Sequence, residues 1–132
     1  MPNGNDFEQR RIRLLEEANS LPETPGVYIM HDANDRIIYI GKSRKLRNRV
    51  SQYFTNSDKS RKTEMMVSSV HRFECVFCDT EIEALALENT LIKKHSPKYN
   101  IKLKDVLGHR WIEVFGGITL GCVVALMIHY LL

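Results

Sequence analysis

The sequence predicts an α+β fold. Three observations carry that prediction. Two short runs rich in Val, Ile and Tyr are joined by turn formers, a third such run stands at 73–78, and a strongly marked helix follows at 80–95. The chain has 132 residues, 43% hydrophobic and 27% charged. That composition suits one folded domain and excludes a disordered or collagen-like chain. The net charge is only +3, so any affinity for a polyanion must come from how the charges are placed. Three cysteines are too few for a disulfide scaffold. The polar opening of the chain does not read as a secretory leader, and both features fit a reducing cytoplasm.

Residues 6–19 read as a short helix, with Phe7, Ile12, Leu14, Leu15 and Ala18 among charges and Leu21-Pro22 as the stop. Its imperfect pattern suggests a peripheral arm over 1–20. Residues 26–30 (GVYIM) and 36–42 (RIIYIGK) flank the turn cluster 31–35 and predict a β-hairpin. A helix is expected over 44–54, with Ser43 as its N-cap and Leu46, Val50, Tyr53 and Phe54 on one side. A second short helix is expected over 62–70, carrying Met65, Met66 and Val70, and then the strand FECVFC. Thr80-x-x-Glu83 has the form of a capping box. The helix it opens must end before Ser96-Pro97.

The basic residues are clustered. Between 36 and 62 stand nine Lys or Arg (Arg36, Lys42, Arg44, Lys45, Arg47, Arg49, Lys59, Arg61 and Lys62) against one acid, Asp58. Between 93 and 104 stand five lysines, Lys93, Lys94 and Lys98 among them, and no acid. Each block taken alone is consistent with a solvated face. Two of them around a tyrosine-rich hairpin point to a phosphate backbone. Glu88 falls on the helical stripe Ala84, Leu85, Leu91, Ile92 and His95. A carboxylate in the middle of such a stripe needs a partner, either a lysine or a metal ion. Tyr28 and Tyr39 sit in the two hairpin runs, Lys42 ends the second, and Arg49 stands on the next helix. Together with Glu88 they compose a phosphoryl site: the cations offset phosphate charge, and a metal on Glu88 polarises the ester. Cys75-x-x-Cys78 mimics a metal or redox motif. In a strand the two thiols point to opposite faces, and no second pair completes a zinc set, so packing is the expected role.

The halves Gly26-Val27-Tyr28 and Tyr39-Ile40-Gly41 resemble the signature of the GIY-YIG nuclease superfamily. The segments LPETPGVYIM, IIYIGKSRKLRNRVSQYF and ALENTLIKKHSPKYNIKLKD resemble, in order and spacing, the N-terminal domain of the UvrC family of bacterial excision repair. The resemblance implies a three-stranded antiparallel sheet flanked by helices, over 21–105. It implies Tyr39 as the general base and Glu88 as the ligand of a single Mg2+ or Mn2+ ion. It further implies Arg49 at the scissile phosphate, Lys42 and Tyr28 as positioning groups, and Asn100 as a further site residue. The implied reaction is a nick on the 3′ side of a DNA lesion, leaving 5′-phosphate and 3′-hydroxyl ends. A free tyrosine has a pKa of about 10, so nearby Lys42, Arg49 and a metal are expected to favour its phenolate. DNA is the implied partner. A UvrB–DNA complex is a further one, although UvrC's UvrB-binding segment has no counterpart in these residues.

Beyond Asp105 the text changes character. From Val114 to Leu132 no Asp, Glu, Lys or Arg occurs. At ~1.5 Å per residue such a helix spans about 28 Å, close to a bilayer core. The segment 106–132 is therefore expected to form a hydrophobic helix. It would tether the protein to the inner membrane face through 111–132, or else dock on the domain or pair two chains through Gly117-x-x-x-Gly121. His109-x-x-x-Glu113-Val114-x-x-Gly117 resembles divergent phosphatidic acid phosphatase-like membrane proteins, whose other motifs are missing here.

Overall fold

The turn formers at 32–36 close a hairpin by local hydrogen bonding. The Asp32 carboxylate accepts from the main-chain N–H groups of Asn34 and Arg36, both at 2.9 Å, and Asp35 takes the left-handed conformation that such a turn needs. In the computed structural model, which describes residues 4–100, this hairpin joins β1 (Gly26–His31) to β2 (Ile37–Ser43). A third strand, β3 (Arg72–Phe77), pairs with the other side of β1, giving an antiparallel sheet of order β2-β1-β3. The register steps from Met30↔Tyr39 to His31↔Ile37, so Ile38 is an extra residue in β2. This β-bulge turns Ile38 toward one core and leaves Ile40 in the other.

Helices cover both faces. On one, Tyr28 and Met30 pack against Leu14 and Ala18 of α1 (Gly4–Asn19), Leu46, Val50 and Phe54 of α2 (Leu46–Phe54), and Met66 and Val67 of α3 (Arg61–Ser69). On the other, Val27, Ile29 and Ile40 meet Ala84, Leu87 and Leu91 of α4 (Glu81–His95). Residues 4–19 therefore contribute to the core and do not form the peripheral arm expected from their pattern. On α3 Met66 is buried and Met65 is exposed. Ser43 is not a helix cap. It ends β2, and Lys45 takes the N-cap position without a side-chain bond. The Thr80 cap does form: Thr80 Oγ1 accepts from the Glu83 N–H at 3.1 Å, while the Glu83 carboxylate reaches one residue further back and accepts from the Asp79 N–H in place of that of Thr80. At the far end Ser96 turns left-handed and returns its N–H to Ile92 before Pro97.

The two signature glycines are required by close approach. A Cβ on Gly41 would strike the Tyr28 ring, and one on Gly26 would strike the Val76 carbonyl and Leu46. The cysteines behave as packing residues, Cys75 against the α1–α3 side and Cys78 against the α4 side. Among the described residues no helix is long and apolar enough to cross a membrane. The expected tail helix, its membrane contact and its dimer contact all fall at 106–132, outside the described residues.

Gly41→Ala is expected to destabilise the domain by about 1–3 kcal/mol, because the buried Tyr28 ring has no room to retreat. Urea denaturation followed by circular dichroism checks this.

Candidate active site

Tyr28, Tyr39 and Tyr53 form a closed group, with ring centroids 5.7–6.4 Å apart. The hairpin contributes the first two and the apolar side of α2 the third. Tyr28 is only 1% exposed, and its hydroxyl meets that of Tyr53 at 2.7 Å. A buried hydroxyl needs such a partner. Arg49, one turn before Tyr53 on α2, lies 5.5 Å from the Tyr53 ring centre and against the Tyr28 hydroxyl. Tyr39 and Arg49 open onto a cleft of about 580 Å³, whose walls include Gln52, Tyr53, Lys59, Lys62, Thr63 and Tyr99.

The residues after α4 fix the outer edge of β2. The Tyr99 N–H donates to the Ile38 carbonyl at 2.9 Å. The Asn100 carboxamide then makes both bonds to Ile40: Oδ1 accepts from its N–H at 2.8 Å, and Nδ2 donates to its carbonyl at 2.9 Å. Asn100 is 7% exposed and does not line the cleft. In this structure it locks the backbone beside Tyr39.

Glu88 reaches the same strand from the opposite helix. The buried stripe of α4 centres on Ala84, Leu87 and Leu91, while Leu85, Glu88 and Ile92 flank it and His95 is exposed. The carboxylate therefore stands at the edge of the stripe, a correction to the expected central position. Burial raises its pKa, and the charge and main-chain N–H of Lys42 partly offset that. Among the described residues no cation forms an ion pair with Glu88, and no group of three or more His, Cys, Asp and Glu surrounds it. One half-buried carboxylate without a protein cation fits Mg2+, which binds through one or two carboxylates and keeps much of its water. Glu88 also acts on Tyr39, its negative charge disfavouring the phenolate. The two groups thus share one electrostatic site around β2.

Residues 24–101 match the family model described as the UvrC-like GIY-YIG domain. The chain belongs to the UvrC-like GIY-YIG family. Among its relatives is UvrABC system protein C of Caldicellulosiruptor saccharolyticus, 50% identical over 103 residues, which are 78% of this chain and 17% of that protein. The protein of that name from Lachnospira eligens is 53% identical over 107 residues, covering 80% of this chain and 18% of its own. The chain thus spans less than a fifth of the length of these relatives. The crystal structure of the GIY-YIG N-terminal endonuclease domain of UvrC from Thermotoga maritima, bound to its catalytic magnesium, superimposes with a TM-score of 0.61 at 35% identity. That match covers 67% of this chain and 96% of the Thermotoga domain. The same domain has been solved with an asparagine replaced by alanine and with a tyrosine replaced by phenylalanine, each bound to its catalytic cation.

Within this UvrC-like domain the basic residues expected to bind DNA divide by what they touch. Arg47 is committed to the Leu21 carbonyl at 2.7 Å and to Glu23. Arg44 pairs with Glu81. Lys59 folds back onto the Thr55 and Ser57 carbonyls at 2.6 and 3.1 Å and so shapes the α2–α3 loop. Lys45, Arg61, Lys62, Lys93, Lys94 and Lys98 are exposed. Of the DNA-binding set only Lys59 and Lys62 line the cleft. Tyr53 and Tyr99 were not among the expected site residues. Tyr53 reads in the sequence as one more apolar residue on its helix, and Tyr99 as part of a basic tail.

The phenols run against expectation. Burial pushes Tyr39 well above the ordinary tyrosine range, Tyr53 and Glu88 add to the rise, and Arg49 offsets only part of it. Tyr28 is raised as well, first by burial. Both therefore stay protonated in the fold after unfolded tyrosines ionise near pH ~10. Above that pH the unfolded chain binds fewer protons, so stability falls as pH rises. Urea midpoints at about pH 9 and about pH 11 are expected to show the fall, and Tyr39→Phe to make it shallower. Asn100→Ala leaves the Ile40 N–H and carbonyl unpaired and is expected to cost about 1–3 kcal/mol. Urea unfolding measures this loss, and faster hydrogen exchange at the Ile40 amide localises it.

Proposed function

We propose that this chain hydrolyses a DNA phosphodiester bond as a metal-dependent endonuclease of UvrC type. The observation that carries the reading is the sharing of one strand by two groups: the Tyr39 phenol faces an open cationic cleft, and the half-buried Glu88 acts on that phenol from α4. The metal named for the Thermotoga domain supports the assignment of Glu88 as the ligand of one Mg2+ or Mn2+ ion. When bound, that ion supplies positive charge that offsets Glu88, polarises the phosphate and stabilises the leaving oxygen.

The protein's own groups have distinct tasks. Tyr39 accepts the proton of the attacking water, and its raised pKa makes its phenolate a strong base once formed. Arg49 favours that phenolate and presents a guanidinium to the phosphate. Tyr28 and Tyr53 hold Arg49 and Tyr39 in place through their paired hydroxyls. Lys42 steadies the Glu88 carboxylate, and Asn100 fixes the strand beneath Tyr39. By likeness to UvrC, the cut belongs on the 3′ side of a lesion, with a UvrB–DNA complex as the physiological setting.

Nicking of supercoiled plasmid with Mg2+ or Mn2+ tests this. Tyr39→Phe is expected to lower the rate about 10²- to 10⁴-fold, the usual weight of general base catalysis. Glu88→Gln is expected to abolish the metal dependence along with the nicking. DNA binding without nicking under any divalent metal would replace the enzyme with a DNA-binding module.

A further inference from the structure

We propose that the cleft beside Tyr39 takes a single DNA strand, with a nucleobase stacked on Tyr99 and the adjoining phosphate held by Lys62. The inference rests on the nuclease reading for DNA as substrate and goes beyond it in naming the strand's state and its two contacts.

The cleft lining mixes aromatic rings, Tyr39, Tyr53 and Tyr99, with the cations Arg49, Lys59 and Lys62. Among the described residues Asp58 is the one acid in the lining, against Arg49, Lys59 and Lys62. Aromatic platforms facing a positive track are how proteins hold unpaired strands, because every base offers a π-face and every nucleotide a phosphate. A duplex hides those faces within its stack.

The individual residues suit these tasks unequally. Tyr28 is sealed in the core, and Tyr53 is buried under Arg49. Tyr99 is half-exposed, and its N–H anchors it to the Ile38 carbonyl next to Tyr39. The Lys98 ammonium lies over the Tyr99 ring, 5.5 Å from its centre, so a stacking base takes that face in exchange for the cation, which the flexible lysine stem can carry aside. Among the lining cations Lys59 is tied to carbonyls of its own loop. Lys62, in the first turn of α3, is exposed, and among the described residues no carboxylate pairs with it.

The test uses the full chain without divalent metal, and 2-aminopurine placed in an oligonucleotide, either single-stranded or annealed. The single strand is expected to bind more tightly than the duplex and to lose fluorescence on binding. Tyr99→Leu, which keeps apolar packing but removes the ring, is expected to abolish the quench and weaken binding roughly five- to hundredfold. Tyr99→Phe is expected to retain both. Lys62→Ala is expected to leave the quench in place and to reduce the slope of log affinity against log salt by about 0.7. Equal affinity for duplex, an unchanged quench in Tyr99→Leu, or an unchanged salt slope in Lys62→Ala would overturn the proposal. Because no metal is present, a chain that quenches but never nicks under assay conditions sinks the hydrolytic reading alone. One that nicks with no effect of Tyr99→Leu on binding sinks this inference alone.

Discussion

The hydrogen bond between the Tyr28 and Tyr53 hydroxyls joins the hairpin to α2 where water cannot stand in for either partner. Much of the site follows from it. Tyr28 can lie flat over β2 only because residue 41 has no side chain. With that ring in place, Tyr53 is drawn inward, Arg49 is carried over the Tyr53 ring on the same helix, and Tyr39 is left facing outward. Helix packing and site geometry are therefore one arrangement. Loss of either hydroxyl would leave the other to its second neighbour alone, Arg49 for Tyr28 and Tyr39 for Tyr53.

The electrostatics around β2 are deliberately unbalanced. Burial raises both Tyr39 and Glu88, so each favours its neutral form in the protein's own field. Arg49 acts against the first rise and Lys42 against the second, neither completely. A site in this condition gains most from an added cation, since one positive charge relieves both groups at once. Glu88 is tolerated on an otherwise apolar helix edge because it is only half-buried and Lys42 offsets part of the cost.

Much of this was legible in the chain because it depends on local pattern. The Asp-rich turn, the Thr80 cap, the proline stop and the Val-, Ile- and Tyr-rich runs of β1 and β2 each follow from short-range chemistry. Glu88 was legible as a carboxylate on an apolar stripe, Tyr39 and Arg49 through the tyrosine-rich hairpin, the basic cluster and the resemblance to the GIY-YIG signature. Tyr53 was not, because on a helix a tyrosine that packs and one that also hydrogen-bonds leave the same periodic mark. Tyr99 and the locking role of Asn100 were hidden for another reason: they depend on a chain returning across some sixty residues to bond Ile38 and Ile40. The rise in the Tyr39 pKa was equally invisible, since a list of neighbouring cations says nothing about depth of burial.

The bonds from Tyr99 and Asn100 to β2 also bear on how the protein behaves in a crowd. A bare outer strand offers a ladder of donors and acceptors to any passing chain, and that is a common route into fibrils. Here Pro97 to Asn100 run alongside β2 and occupy groups of Ile38 and Ile40 that a stranger would use. Self-association through strand pairing is thereby steered to β3, at the other side of the sheet, where Val76 and Phe77 stand in water. A polypeptide cut back to the end of α4 would keep every helix and strand of the described residues yet bare the outer border of β2 as well as that of β3.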